Sequence, residues 1–464
     1  MPDIKLDNRL YLSGLNPQKR KELENFLTIP NPEYIKKERM GFWLGKTPKT
    51  LCLYENDGGT LICPSGVWHT SLLEDEFSIF DITDNRVDNC NVDFNADVEL
   101  YDYQGRAVDK LFHEQGGILQ APTGSGKTQM GIALAVLIGQ RTLWLTHTSD
   151  LLNQSKKRAE KYISGDKIGT ITDGKVNLGE CITFATIQTM AKLDLSRYAD
   201  LFGTVIVDEC HHVVGTPTKM MQFYKVIDNM RARYKYGLSA TVHRADGLIR
   251  STFAILGDVK AVVTQEDVGD KVVPIGIYPR FTDNYLTEDC LMPDGTLSYT
   301  KTISYLSDNA KRNHLIVDDI TAEYEDDKHI LVLCHRVEHL RILANRLNMN
   351  GIPCEIIYGA VSEKERERII EETRSGDNRI LIATYSLAKE GLDIPILDRL
   401  FLTTPQKDYA IVTQSIGRIS RSYPGKEEAI VYDYVDDDRY FVNAYKRRCT
   451  HYKKANCYAV EKET

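Results

Sequence analysis

The sequence predicts an α/β protein made of two doubly wound parallel-sheet lobes, with a small α+β domain at the N-terminus. Three observations carry that expectation. Short apolar runs alternate with helix-forming stretches from about residue 98 onward, the pattern of parallel strands joined by crossover helices. A second series of the same kind begins near residue 309. Between the first apolar run and the first long helix lies Ala121-Pro122-Thr123-Gly124-Ser125-Gly126-Lys127-Thr128, a strand, Gly-rich loop and helix in sequence.

Composition sets bounds before any motif is read. A chain of 464 residues is long enough for about three domains, and 42% apolar residues can fill their cores. Ten cysteines without a Cys-x-x-Cys pair speak for reduced thiols, not for a disulfide framework or a zinc ribbon. The N-terminal Met1-Pro2-Asp3-Ile4-Lys5 has no apolar signal core, and no run approaches the ~18 apolar residues of a membrane span. The expectation is a cytoplasmic protein without membrane contact. A net charge of −8 argues against coating nucleic acid by bulk charge, while leaving room for a local basic groove.

Taken in order, residues 1–95 read as the N-terminal accessory domain, with DNA binding as a candidate role. Leu10-Tyr11-Leu12 is a strand, a helix opens near Asn16-Pro17, and Leu51–Tyr54 with Thr60–Cys63 form a hairpin about Asn56-Asp57-Gly58-Gly59. Trp43 and Trp68 have two readings, stacking on bases or filling a small core, and the basic residues around Lys19 and Lys36 are either a solvated helix face or a DNA contact. The acidic stretch from Glu74 reads as a linker with a strand at Phe77–Phe80. The first lobe spans 96–265: strands at Gly117–Gln120, Arg141–Thr146, Cys181–Thr186 and Thr204–Val207, and a helix opening at Ser149. Residues 266–308 read as an inter-lobe insertion or linker, in which Tyr285, Tyr299 and Tyr305 are either a strand-splitting wedge or hinge packing. The second lobe, 309–464, has strands at His329–Leu333, Cys354–Tyr358, Arg379–Thr384, Leu400–Thr404 and Glu428–Tyr432, and no Gly-rich loop of its own.

The chemistry concentrates at three places. Backbone N–H groups of Thr123, Gly124, Ser125 and Gly126, with the positive end of the following helix, form an anion cradle; Lys127 adds a point charge and Thr128 a magnesium-ligating hydroxyl. An apolar strand runs directly into Asp208-Glu209, where Asp208 can hold the magnesium and Glu209 can deprotonate an attacking water; the alternative is an ordinary helix cap. Adjacent Cys210, His211 and His212 diverge on an extended segment, which argues against zinc. In the second lobe Arg418 and Arg421 stand three apart, on one face if the segment is helical, able to neutralise phosphoryl charge or to serve as a surface pair bound to carboxylates.

Together these residues resemble the superfamily 2 DEAD/H-type helicases and translocases. Ala-x-x-Gly-x-Gly-Lys-Thr from Ala121, Asp-Glu-Cys-His from Asp208, Ser239-Ala240-Thr241, and Gln-x-x-Gly-Arg-x-x-Arg from Gln414 match that family's motifs in order over about residues 98–435. The resemblance implies two RecA-like lobes, ATP and Mg2+ as cofactors, and Gln414 with Arg418 and Arg421 as catalytic residues beside Lys127, Asp208 and Glu209. It further implies that Gln104 reads the adenine edge, although Tyr101-Asp102 replaces the Arg-Pro usual upstream. Gly391 and Asp393, in Glu390-Gly391-Leu392-Asp393, would meet the ribose. Ser239, Thr241 and His212 would couple hydrolysis to movement, and strand contacts would come from Thr146-His147-Thr148, Thr186 and Gln188, and from His335, Arg336 and Thr384. Gly237–Leu248 and the N-terminal appendage look like the XPB-related group and phage-encoded branch-migration helicases of the UvsW type.

The expected protein is therefore an ATP-dependent DNA helicase or translocase acting on single-stranded and branched DNA in recombination, repair or replication, a monomer in a phage-infected or bacterial cell with recombination or replication proteins as partners. A double-strand translocase, an RNA helicase, and an ATP-switched nucleic-acid annealing protein are the competing readings.

Overall fold

Strands of β-branched and apolar residues and helices with one apolar face assemble into two compact units, Met1–Thr264 and Gln265–Thr464. The computed structural model describes residues 3–73, 81–122, 124–213, 217–240, 249–269, 272–389, 392–406, 409–455 and 457–460. The expected strand at 77–80 therefore lies outside the described residues. No helix among the described residues is long and apolar enough to cross a membrane.

The first unit holds an eight-stranded sheet in the order Lys175–Asn177, Ile168–Thr172, Ile182–Thr186, Thr142–Thr146, Thr204–Val207, Tyr234–Ser239, Gly116–Gln120, Val259–Val262. All neighbours are parallel except the edge strand Lys175–Asn177. Central strands such as Thr142–Thr146 and Ile182–Thr186 are buried along their whole length, which explains why they read as unbroken apolar runs.

Ahead of that sheet, the N-terminal residues form their own five-stranded sheet, Glu55–Asp57, Thr60–Pro64, Arg9–Ser13, Asp3–Leu6 and Asp81–Asp84. The hairpin differs from expectation: Glu55–Asp57 pairs with Thr60–Pro64, while Thr50–Cys52 turns away to pair with Thr28–Pro30. Gly58 and Gly59, both at positive φ, make the two-residue turn that sets Asp57 against Thr60 and so the register of this hairpin. Trp68 packs on the apolar core of this sheet, whereas Trp43 is 88% exposed.

The N-terminal sheet is not loosely tethered. Gly66 approaches the backbone of Ile255 so closely that a Cβ would lie 2.2 Å from its carbonyl carbon, and Ala254 belongs to the N-terminal core. The buried Lys235 ammonium donates to Ser65 Oγ at 2.8 Å, and the expected linker runs along the lobe through the bridges Val87 to Ala232 and Asn91 to Gln140.

The second unit has a seven-stranded, wholly parallel sheet: Glu355–Ile357, Ile380–Thr384, Ile330–Cys334, Arg399–Leu402, Ala429–Asp436, Ile275–Thr282, Tyr458–Ala459. Part of the stretch expected as an inter-lobe linker is thus a structural strand, Ile275–Thr282, paired along its whole length with Ala429–Asp436. Its apolar first half, Ile275-Gly276-Ile277, is buried where a linker would be wet. The basic C-terminal run is likewise only partly solvated, because Arg448 is buried in an ion pair with Asp433 at 2.8 Å.

Candidate nucleotide site and coupling residues

Parallel pairing brings the ends of the neighbouring strands Gly116–Gln120, Tyr234–Ser239 and Thr204–Val207 side by side, and the candidate chemistry sits there. The Ala121 N–H donates to the Ser239 carbonyl at 3.0 Å, so the Gly-rich loop leaves the sheet tied to the neighbouring strand. Gly124 and Gly126 take φ of +89° and +83°, and helix Lys127–Ile138 starts directly after them. Ser125 donates to the Pro122 carbonyl from both its N–H (3.2 Å) and its Oγ (2.7 Å). The Lys127 side chain is buried, with Nζ donating to the carbonyls of Ala121 (3.2 Å) and Pro122 (3.4 Å). Thr128 follows, half-buried in the first turn of the helix, while Thr123 lies outside the described residues.

Gln104 is drawn into this loop. Its Nε2 donates to the Ser125 carbonyl at 2.8 Å, its Oε1 accepts from the Tyr101 N–H at 3.0 Å, and the Tyr103 hydroxyl also donates to Ser125 at 3.0 Å. The residue expected to read an adenine edge is therefore also a brace for the phosphate loop. Tyr101 stacks on Tyr103 with ring centroids 6.0 Å apart and stays half exposed, an aromatic face where Arg-Pro is absent.

Asp208 ends the buried strand Thr204–Val207, its N–H donating to the Leu145 carbonyl at 2.9 Å. Its carboxylate accepts from Ser155 Oγ at 3.0 Å and from the Glu209 N–H at 3.0 Å, so it does not cap a helix. Burial, and then the charge of Glu209, push the Asp208 carboxyl up to about 6, against the opposing pull of the Ser155 hydrogen bond and the Lys127 charge. Glu209 has φ of +48°, a conformation that costs a side-chain-bearing residue about 1–2 kcal/mol.

Of the three residues expected to couple hydrolysis to movement, Ser239 is described, and its partner is a neighbouring histidine. His211 Nδ1 lies 2.9 Å from Ser239 Oγ and 3.2 Å from Glu209 Oε2, linking the acid pair to the strand end that holds Ala121. His211 sits in the short 3-10 turn Cys210–Val213 that follows the strand, and its side chain is buried. The side chain of His212, the expected coupling residue, and all of Thr241 lie outside the described part. Ser155 was not legible as a site residue because nothing in its own stretch of sequence marks it; only the packing of helix Ser149–Ala159 on the sheet brings it to Asp208.

Of the expected strand contacts in the first unit, Gln188 Nε2 donates to the His147 carbonyl at 2.9 Å, Thr146 Oγ1 to the Thr148 carbonyl at 3.0 Å, and Thr186 Oγ1 meets Thr189 Oγ1 at 2.8 Å. They share the ends of two adjacent strands.

In the second unit, His335 Nδ1 lies 2.6 Å from Thr404 Oγ1 and its Nε2 3.0 Å from the Tyr299 hydroxyl. Burial, with Arg336 beside it, lowers its pKa to about 4, so the ring is neutral at pH 7 and offers shape and hydrogen bonds, not charge. Arg336 reaches the Thr300 carbonyl at 3.4 Å and Thr384 Oγ1 lies 3.1 Å from Ser386 Oγ. Tyr305 donates to the Tyr285 carbonyl (3.0 Å) and Tyr285 to Asp437 (2.9 Å), so Tyr305 braces its own segment and Tyr285 ties that segment to the end of strand Ala429–Asp436.

Gln414 is buried on helix Tyr409–Ile419, and Arg418 in its last turn donates to the Leu392 carbonyl at 3.1 Å. The shared helix face expected for Arg418 and Arg421 does not form. The helix stops at Ile419 because the next residues pair with another segment, Val273 N–H donating to the Ser420 carbonyl at 2.8 Å and Arg421 bridging to Val272. The two arginines still meet the same short stretch, since Arg421 forms an ion pair with Asp393, next to Leu392. Gly391 lies outside the described residues.

A phosphate loop and paired acids on one parallel sheet, followed by a second parallel-sheet unit carrying buried arginines, define a P-loop motor of the helicase class. A family model described as the type III restriction enzyme res subunit matches residues 97–244, and one described as the helicase conserved C-terminal domain matches residues 311–423. The chain belongs to the superfamily 2 helicases. Among its relatives, a protein of Acanthamoeba polyphaga mimivirus named as an ATP-dependent RNA helicase is 28% identical over 73% of this chain and 64% of its own length. The ATP-dependent DNA helicase uvsW of Enterobacteria phage T4 is 23% identical over 74% of this chain and 69% of its own. The chain thus spans less than two thirds of the mimivirus relative. In fold, S. cerevisiae Dbp5 bound to RNA and ADP BeF3 matches with a TM-score of 0.54, at 17% identity over 77% of this chain and 89% of that one.

Proposed function

We propose that the protein is an ATP-hydrolysing DNA helicase or translocase that unwinds or branch-migrates branched DNA in recombination, repair or replication. The observation that supports the motor part is the continuous series of contacts from Ala121 through Ser239, His211 and Glu209 to Asp208, which joins the acids to the phosphate loop and the neighbouring strand end. The DNA part draws on the likeness to the phage T4 DNA helicase. On this reading the motor lobes are residues 96–265 and 309–464, the second extended by strand Ile275–Thr282, and residues 1–95 are an accessory domain.

The residues suit a magnesium nucleotide. The buried Lys127 has its donors on loop carbonyls that phosphate oxygens can replace, and the cradle is so tight that a Cβ at Gly126 would lie 2.4 Å from Gln104 Nε2. Thr128 and Asp208 would hold the magnesium, which supplies positive charge to the phosphates. Glu209, held in its left-handed backbone beside His211, takes the proton of the attacking water. Arg418 and Arg421 neutralise the charge that develops on the transferred phosphoryl group, an effect typically worth ~10³–10⁵ in rate.

A panel of forked DNA, Holliday-type junction, blunt duplex and RNA duplex, each with and without ATP, tests the reading. ATP-dependent product from the fork and the junction, with Glu209→Gln still binding ATP and DNA but not turning over, is the expected result. Unwinding of the RNA duplex alone would favour the RNA-helicase reading that the mimivirus relative brings, and normal turnover by Glu209→Gln would refute the assignment of the base.

A further inference from the structure

The N-terminal domain carries a surface that neither the motor nor its core uses. Helix Pro32–Arg39 buries none of its residues, and the loop after it, through Lys49, is held at its base by Asn31 Nδ2 donating to the Pro48 carbonyl (2.8 Å), the Asn31 N–H donating to the Lys49 carbonyl (3.0 Å), and Lys37 Nζ donating to Thr47 Oγ1 (2.8 Å). Three large apolar side chains stand out from this loop: Met40, Phe42 and Trp43, the last 88% exposed and the most exposed large hydrophobic residue among those described. The Trp43 ring passes close to Gly45, where a Cβ would come within 2.9 Å of it, and is otherwise open.

The charge along this element is one-sided. Lys36, Arg39, Lys46 and Lys49 are exposed and form no ion pair with a described residue; of the two acids nearby, Glu33 is taken by Lys37 at 2.8 Å, and Glu38 stands alone. In a chain of net charge −8 this is a local reversal of sign. An isolated basic helix is usually a solvated face, and an isolated exposed aromatic is ordinary; the two interleaved on one projecting element match what unpaired bases and their phosphates require, a π-face for stacking and cations spaced along a backbone.

We infer that the element from Lys36 to Lys49 is a single-stranded DNA contact, with a base stacked on Trp43, Phe42 beside it, and Lys36, Arg39, Lys46 and Lys49 on the phosphates. Its placement gives it consequence. The domain that carries it is locked to the first lobe by the close approach of Gly66 to Ile255 and the buried Lys235 to Ser65 contact, so a strand gripped here is held at a fixed distance from the phosphate loop. The inference rests on the reading of the chain as a nucleic-acid motor and names a grip that reading does not supply.

Tryptophan emission provides the test on the full chain. Of the three tryptophans, Trp144 is buried and Trp68 packs on a core, so red-shifted, iodide-accessible emission belongs to Trp43. Oligo(dT) should quench that emission and protect it from iodide, and Trp43→Ala should weaken oligo(dT) binding about five- to a hundredfold. Lys46→Ala with Lys49→Ala should lower the slope of log affinity against log salt by about 1.4. Binding of oligo(dT) by the parent with unchanged emission and equal affinity in Trp43→Ala overturns the inference and leaves the motor reading intact. A parent that binds neither oligo(dT) nor forked DNA overturns both, and a blue shift with phosphatidylserine vesicles but no response to oligo(dT) replaces the DNA contact with a membrane one.

Discussion

Replacing Gly126 by alanine isolates the physical basis of the nucleotide site. The backbone there has φ of +83°, which costs an alanine about 1–2 kcal/mol. Its Cβ would lie 2.4 Å from Gln104 Nε2, so the amide must leave, and its buried hydrogen bond to the Ser125 carbonyl goes with it, a further cost of about 1–3 kcal/mol. The sum, about 2–5 kcal/mol, is a sizeable part of the stability of an ordinary domain. Urea denaturation of the purified chain, followed by titration with a fluorescent ATP analogue, measures it. The double variant separates the terms: with Gln104→Ala already in place the clash and the hydrogen bond are gone, so Gly126→Ala should then cost only the backbone part, about 1–2 kcal/mol. An equal cost in both backgrounds would refute the wedging of Gln104 against the loop.

Removing His211 or Ser239 by alanine should slow DNA unwinding more than ATP hydrolysis, and the two losses should be non-additive by about 0.5–3 kcal/mol in a double-mutant cycle of unwinding rates, since one contact carries both. Asp436→Ala should destabilise the second unit by about 3–5 kcal/mol in calorimetry, because it strands the buried Arg312 guanidinium that it meets at 2.8 Å, while Arg312→Met with Asp436→Leu should recover most of the loss. His69, buried between Gly116 and Gly257 and facing Arg86, Lys235 and Lys260, has its pKa lowered to about 3, first by burial and then by those cations. The unfolded chain therefore binds the extra proton between about pH 6.5 and 3. In that window the stability of the parent relative to His69→Gln should fall as pH falls, by up to about 1.4 kcal/mol per unit, read by urea denaturation across the range.

The parts of the site that were legible in the sequence are those whose chemistry is written into neighbouring residues. Ala121 to Thr128 declares its loop because glycines, lysine and hydroxyl must follow one another on one stretch of backbone, and Asp208-Glu209 declares itself because an apolar strand delivers it. Ser155 and the contact of His211 with Ser239 were hidden, because their partners are 53 and 28 residues away in the chain. The shared face of Arg418 and Arg421 failed for a related reason: helical spacing holds only while the helix lasts, and Val273 ends it by capturing the Ser420 carbonyl.

The two α/β lobes were legible from local periodicity, the Gly-rich loop and the acid pair from residues adjacent in the chain, and the family from the resemblance of its ordered motifs. Tertiary structure alone decided that Ile275–Thr282 joins the second sheet, that Thr50–Cys52 pairs with Thr28–Pro30, that Gln104 braces the loop, and that the N-terminal domain is locked to the first lobe with Trp43 turned outward. Those outcomes depend on which distant backbone groups and side chains find each other when the sheets close. No local pattern encodes that, because the same apolar run satisfies its hydrogen bonds equally well beside any strand of matching length.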